Sequence, residues 1–365
     1  MIDFRYHLVS LISVFLALSI GIVLGAGPLK EAIGDQLTGQ VESLRADKED
    51  LRAQLDDATG AAAAQDAFVA ETADDLLVGV LPGRQVAIVE LGDVADEEIE
   101  AITAQLQAAG AGVGALVTLQ DNWTSEGQAS FRQSLAGSLG QYLTGAPDGA
   151  TTDQQLAAAL AQSLTQVDRS DTTVYSEAAT VLQELLVAGE LVEISPDARP
   201  ADLILLVGEW PAAEGDTTPE ETQAEDNEIT ILTTLARTAQ QYAEAVVVVD
   251  VGEEPGALLA AVRDDADLRA TVSTVAQGDH LAGVVSVPLV LSARASGTVG
   301  QYGVQPDATG IVPAVIRLAA VDRTPRMAPE PEDNVAGELA DETAQDETAQ
   351  DDESAADADE EGSEG

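Results

Sequence analysis

Hydrophobic residues are distributed along this chain in successive, distinct patterns. The first is Leu8 to Gly27, LVSLISVFLALSIGIVLGAG, a run without a single charge. A helix of about 20 residues covers about 30 Å, the hydrocarbon thickness of a bilayer. Asp3, Arg5 and His7 lie just before it, and Lys30, Glu31 and Asp35 just after. A cleaved signal peptide is the competing explanation, but its apolar core usually holds about 7–15 residues and its flank carries more positive charge. The pattern predicts an uncleaved transmembrane anchor over residues 1–28. Arg5 and the α-amine favour an N-inside orientation over the opposing charge of Lys30. The expected location is therefore the plasma membrane, single-pass, with the bulk of the chain extracytoplasmic.

Within the anchor, Ser13, Ala17, Gly21 and Gly25 recur every four residues. Such a stripe lets two membrane helices approach closely, although small residues are common in membrane helices in any case. Beyond the anchor the period changes. Leu37, Val41, Leu44, Lys48, Leu51 and Leu55 alternate spacings of four and three. That is a heptad seam, with Leu37, Leu44 and Leu51 at d and Val41, Lys48 and Leu55 at a. Charged residues, Glu42, Arg45, Asp47, Glu49, Asp50 and Arg52, fill the other faces. Lys48 costs stability there while helping to fix register and strand number. A lone amphipathic helix packed on its own domain would carry a similar seam. Stripe and seam together predict a parallel homodimer with a coiled-coil stalk over residues 29–78, in which Ala58–Leu77 extends the helix to a break at Gly79, Pro82 and Gly83.

The third pattern occupies residues 79–326. Short, continuously apolar runs at Val86–Val89, Ala115–Leu119, Leu203–Val207 and Ala245–Val249, with a fainter one at Ala270–Ala276, predict strands. Amphipathic stretches between them predict helices at Asp96–Ala109, in parts of Gly127–Leu143 and Thr151–Val167, at Tyr175–Ala188, Glu228–Tyr242, Pro255–Asp265 and His280–Ala293. Asp96 and Asp279 are the expected N-caps, and Glu209–Asn227 reads as a loop. Apolar strands alternating with helices imply an α/β domain with a doubly wound, mostly parallel sheet covered on both faces. A transmembrane β-barrel needs many segments of about 10 residues alternating apolar and polar. Those are missing, so the chain is not expected to form a pore by itself.

Composition sharpens this picture. Of 365 residues 65 are acidic and 16 basic, a net charge of −49, and only two of the bases are lysine. The region 327–365 holds 16 acids, an imperfect DETAQ repeat and no base, and reads as a disordered acidic tail. A surface of this sign repels nucleic acid, which is not an expected partner. Cysteine is absent, which excludes disulfides, thiolate metal sites and cysteine catalysis. No G-x-G-x-x-G follows a strand, there is neither a P-loop nor a G-x-S-x-G elbow, and there are two histidines, His7 and His280. The chain is not expected to be an enzyme, and no cofactor is expected. One constellation stands out: Glu90, Asp121, Glu209 and Asp250 each fall at or just beyond the end of a predicted strand, with Trp123 and Trp210 beside two of them. In a doubly wound sheet those ends share one edge, where ligands bind. Carboxylates with aromatic walls would suit a cation or polar ligand. Equally, strand-ending acids cap helices and tryptophans fill loops. The ligands of any metal are not fixed by spacing; the candidates are these four acids and His280.

The opening MIDFRYHLVSLISVFLALSIGIVLGAGPLKEAIGDQL and the closing GDHLAGVVSVPLVLSARASGTVGQYGVQPDATGIVPA resemble the actinobacterial MctB family of copper transport proteins. Asp3, Arg5, Tyr6 and His7 match as well as the apolar run. The resemblance extends to about residue 320. It implies a role in keeping intracellular copper low, by efflux through the envelope, with copper as cargo. Some members of the family also resemble partners of a septal protein that restrains cell-wall hydrolysis, so a dimeric envelope scaffold with a membrane or septal protein partner is the alternative. The family's label of outer-membrane channel does not suit a chain with one helical anchor and an α/β body. Copper(I) prefers thiolate or thioether and copper(II) imidazole. Against that the chain sets no cysteine, Met1 and Met327, and His7 and His280. An indirect effect on copper, through envelope organisation, fits those residues better than a dedicated conducting path.

Overall fold

The computed structural model of the chain describes residues 4–26, 28–145, 149–210, 218–252 and 256–324. The region expected to be a disordered tail lies outside the described residues.

The uncharged run forms helix α1, Phe4–Ala26. Among the described residues it is the one helix long and apolar enough to cross a membrane, and none of it is buried within the chain. The heptad region forms α2, Pro28–Leu77, which at 1.5 Å per residue is about 75 Å long. Its two ends differ. Leu44, Leu51 and Leu55 are 66%, 65% and 66% exposed. Ala73 and Leu77 are buried, with Val69 and Leu76 packed beside them. Left-handed Gly79 (φ +72°) and Gly83 (φ +71°) then turn the chain into the body, as the break at Gly79–Gly83 predicts.

The body follows in the order β1 (Gln85–Glu90), α3 (Asp96–Ala108), β2 (Gly112–Leu119), α4 (Ala129–Leu139), α5 (Thr152–Thr165), α6 (Glu177–Ala188), β3 (Val192–Ile194), β4 (Leu203–Gly208), α7 (Pro219–Ala239), β5 (Ala245–Asp250), α8 (Ala257–Asp264), α9 (Ala266–Thr271), β6 (Ser273–Val275), α10 (Leu281–Ala295) and β7 (Gln301–Tyr302). The sheet has seven strands in the order β3-β2-β1-β4-β5-β6-β7. All pairs are parallel except β2 with β3. Every residue of β4 and β5 is buried, because helices cover both faces, which is why these strands are continuously apolar. On one face α4 to α9 close a core that includes Leu139, Leu160, Leu182, Leu235 and Val262. On the other, α3, α10 and the last turns of α2 close a second core around Ile102, Leu289 and Leu77.

The α/β, mostly parallel architecture is as the pattern predicts. Several details differ. The pattern does not predict strands β3 and β7, which are three and two residues long, too short to carry a period. Helix α7 starts at Pro219, inside the expected loop Glu209–Asn227. Thr218 caps it, accepting from the Glu221 N–H at 3.3 Å, while Glu221 accepts from the Thr218 N–H at 2.8 Å. This is a capping box with proline at the first helical turn. The N-caps of α3 and α10 are Ala95 and His280, not Asp96 and Asp279. At α3 the Glu98 carboxylate accepts the Ala95 N–H at 3.3 Å, so the first turn is satisfied without a capping side chain at Ala95.

Candidate functional site

Strands β2, β1, β4 and β5 are neighbours and run parallel, so their carboxyl ends form one edge. Along that edge lie Asp121 just past β2, Glu90 at the end of β1, Glu209 just past β4 and Asp250 at the end of β5. The winding reverses between β1 and β4, which is where open α/β sheets leave a crevice. Glu90 and Glu209 therefore flank the switch point.

Each acid is held differently. Glu90 accepts from the Thr118 hydroxyl at 2.8 Å. Asp250 is fully buried; its two oxygens accept from the N–H groups of Gly252 (2.9 Å) and Gly256 (2.6 Å), tying the turn after β5 to the start of α8. Burial pushes the Asp250 carboxyl above its ordinary value against those two hydrogen bonds, and the charges of Glu209 and Asp279 add to the rise. Glu98, in the first turn of α3, is also raised, first by burial and further by Glu209, Asp279 and Glu97. One oxygen of Asp279 is buried without a partner, and the other lies 3.6 Å from Nδ1 of the exposed His280. Glu209 and Asp279 thus act electrostatically on both Glu98 and Asp250. Asp121 belongs elsewhere along the edge: it acts on Glu228 of α7, whose carboxyl is raised first by burial.

Among the described residues, no three His, Asp or Glu side chains are grouped to hold a metal ion. Both tryptophans belong to the buried core. The Trp210 ring covers Gly208, where an added Cβ would meet it at 2.5 Å, so this aromatic packs against the end of β4. The strand order is that of dinucleotide folds, but the turn after β1 carries one glycine, Gly92, and the acids around it repel a pyrophosphate.

Raised carboxyls make stability depend on pH in a defined direction. The folded chain holds the protons of Glu98, Glu228 and Asp250 more tightly than the unfolded chain does. Their contribution is complete below the ordinary carboxylate range of about 4 and lost as pH rises through the folded-state values. Asp168, Asp171 and Glu221 are lowered by hydrogen bonds and act only at more acidic pH. The thermal midpoint is therefore expected to rise as pH falls from neutrality toward the ordinary carboxylate range at constant ionic strength; a midpoint that falls throughout that approach in calorimetry contradicts this account.

A cleft of about 620 Å³ lies at the opposite, amino end of the strands and includes Arg169, Asp202, Tyr242, Glu244 and Arg323 in its lining. Arg84 bonds Glu244 at 2.8 Å and Arg323 bonds Asp202 at 2.6 Å. Arg84 also donates to the Ala319 carbonyl (2.8 Å), Arg317 to that of Val78 (3.0 Å), and the Thr172 hydroxyl to that of Arg323 (2.9 Å). Residues 317–324 thus strap the strand ends to the base of the stalk. Sequence reasoning missed this cleft; the only signal is arginine concentrated at 317 and 323 in a chain poor in bases.

Fold and edge together define a class: a doubly wound α/β domain on a long helical stalk, headed by one apolar helix of membrane-spanning length. Residues 1–313 match the family described as "Copper transport outer membrane protein, MctB". The chain belongs to the MctB family. It is similar to the proteins named Copper transporter MctB of Mycobacterium bovis and Mycobacterium tuberculosis strain H37Rv, 32% identical to each over 145 residues. That stretch covers 38% of this chain and 44% of each relative, less than half of the relatives' own length.

Proposed function

We propose that the chain is a membrane-anchored protein of copper homeostasis that limits intracellular copper without forming a pore or catalysing a reaction. The family match over residues 1–313 carries this proposal. Helix α1 is its anchor, N-inside and single-pass, and the α/β body lies outside the cytoplasm. A reporter fused after residue 60 is expected to be active only outside the cytoplasm; recovery of a mature chain starting near Pro28 overturns the uncleaved anchor. The open sheet, covered by helices on both faces, favours a body that encloses no channel.

The ligand inventory favours an indirect route to copper. In calorimetry the full chain is expected to bind copper(I) no more tightly than a generic acidic protein. Copper(II) or calcium uptake is expected to be weak, carried by carboxylates, and reduced by removing residues 328–365. A stoichiometric submicromolar site that survives tail removal and is lost in His280→Ala restores direct copper handling.

A second reading has its own support. The exposed leucine seam on a 50-residue helix suits a parallel homodimeric envelope scaffold that regulates septal cell-wall hydrolysis with a membrane or septal partner. A deletion strain separates the two: copper sensitivity with normal septa supports the first, and aberrant septa with lysozyme sensitivity at normal copper tolerance support the second.

A further inference from the structure

The heptad register of the stalk does not stop at Leu55. Continued, it places Ala58 and Gln65 at d, Ala62 and Val69 at a, Asp66 at e and Phe68 at g. Val69 is where α2 begins to pack on its own body, yet Phe68, one residue earlier, is 69% exposed. Beside them lies a groove of about 460 Å³, lined by Ala64, Gln65, Asp66, Phe68, Val69 and, from the first turn of α10, Ala282. One wall is the g side of the stalk, the other is the body, and the floor is the a and d line. The groove therefore continues the seam.

Charge selects what fits there. In a parallel, in-register pair each g residue faces the e residue five positions on in the other chain. Asp47 then faces Arg52 twice per dimer, and Gln40 faces Arg45. An antiparallel pair sets e against e and brings Arg45 and Arg52 together, a repulsive arrangement.

We infer that the groove receives the stalk of a second, parallel copy of this chain, whose Phe68 packs between Val69 and Ala282. The site is incomplete without that copy, whose Phe68 ring enters beside the Phe68 that already lines the groove. The inference rests on the parallel homodimer proposed above and extends its interface to the base of the stalk, where the body takes part.

The chain has no cysteine, so engineered pairs are unambiguous. The full chain carrying Phe68→Cys and Ala282→Cys is oxidised with diamide in membranes and run on a non-reducing gel. A covalent dimer that requires both cysteines is expected. Leu51→Cys, at d, is the control for the stalk dimer itself. If Leu51→Cys crosslinks between chains while the double variant crosslinks only within a chain or not at all, the groove inference falls and the stalk dimer stands. If neither links two chains, both fall. Phe68→Ala gives an independent measurement: its dimer is expected to dissociate about tenfold more readily, in line with loss of a buried aromatic anchor. Unchanged self-association overturns the inference.

Discussion

Replacing Leu44 and Leu51 together by Asp is expected to weaken self-association of the full chain in detergent by at least about a thousandfold. Burying one leucine is worth about 1.5–3 kcal/mol, and a parallel dimer buries four of these two. Even partial burial gives about 4 kcal/mol, which is three orders of magnitude in dissociation constant. The four carboxylates introduced would also face one another in the seam. The α/β body is expected to keep its thermal midpoint, because neither leucine belongs to its two buried cores. Sedimentation read beside circular dichroism separates the two effects. A double variant that remains dimeric at the concentrations where the parent does shows that the seam is not the interface and leaves self-association to the Ser13–Ala17–Gly21–Gly25 stripe. A variant with a lowered midpoint shows that the stalk leucines support the body after all.

How much could be read beforehand follows from what each element buries. Strands β4 and β5 were legible because both faces of the sheet are covered, so Leu203–Val207 and Ala245–Val249 are apolar without interruption. Helix α10 was legible as an apolar helix from His280 onward for the same reason; its residues Val284–Ala293 are all buried. Edge elements lack that signal. β3 hydrogen-bonds to one neighbour only and exposes Glu193, so Val192–Ile194 offers no run to recognise. The start of α7 was readable from Thr218, Pro219 and Glu221, but the surrounding acids made the segment look like a loop.

The candidate site divides along the same line. Glu90, Glu209 and Asp250 share an edge because parallel order fixes where strands end, a one-dimensional property of the chain. That Glu209 and Asp279 act on both Glu98 and Asp250 depends on how α3 and α10 pack beside β1 and β5, which no spacing encodes. The cleft at the other end needs still longer reach: Arg84 meets Glu244, and Arg323 meets Asp202, across 160 and 121 residues.

Gly283→Ala is expected to cost about 3 kcal/mol of stability, although alanine favours helices and Gly283 lies within α10. An added Cβ would sit 1.9 Å from the Gln277 carbonyl oxygen, 2.7 Å from its carbon and 3.2 Å from the Gly278 nitrogen. These are backbone atoms and cannot rotate away. Their segment is pinned by bonds from Ala276 to the Tyr302 carbonyl (3.0 Å), from Gly278 to that of Asp250 (2.8 Å) and from His280 to that of Gln277 (3.1 Å). Gln277 itself sits at φ +58°, a conformation held by this close crossing of loop and helix. Overpacking commonly costs about 1–3 kcal/mol, and a backbone clash belongs at the upper end. For a body of this size that lowers the thermal midpoint by about 6–12 °C. Because α10 packs against the last turns of α2 in the same core, the loss is expected to loosen the stalk base as well, visible as faster hydrogen exchange at Val69–Leu77. Gly137 in α4 is the control, since nothing lies within 4 Å of its added Cβ. Gly137→Ala is expected to raise stability by about 0.5–1 kcal/mol. Equal midpoints for the two variants would mean that Gln277 does not approach α10 as closely as these distances require.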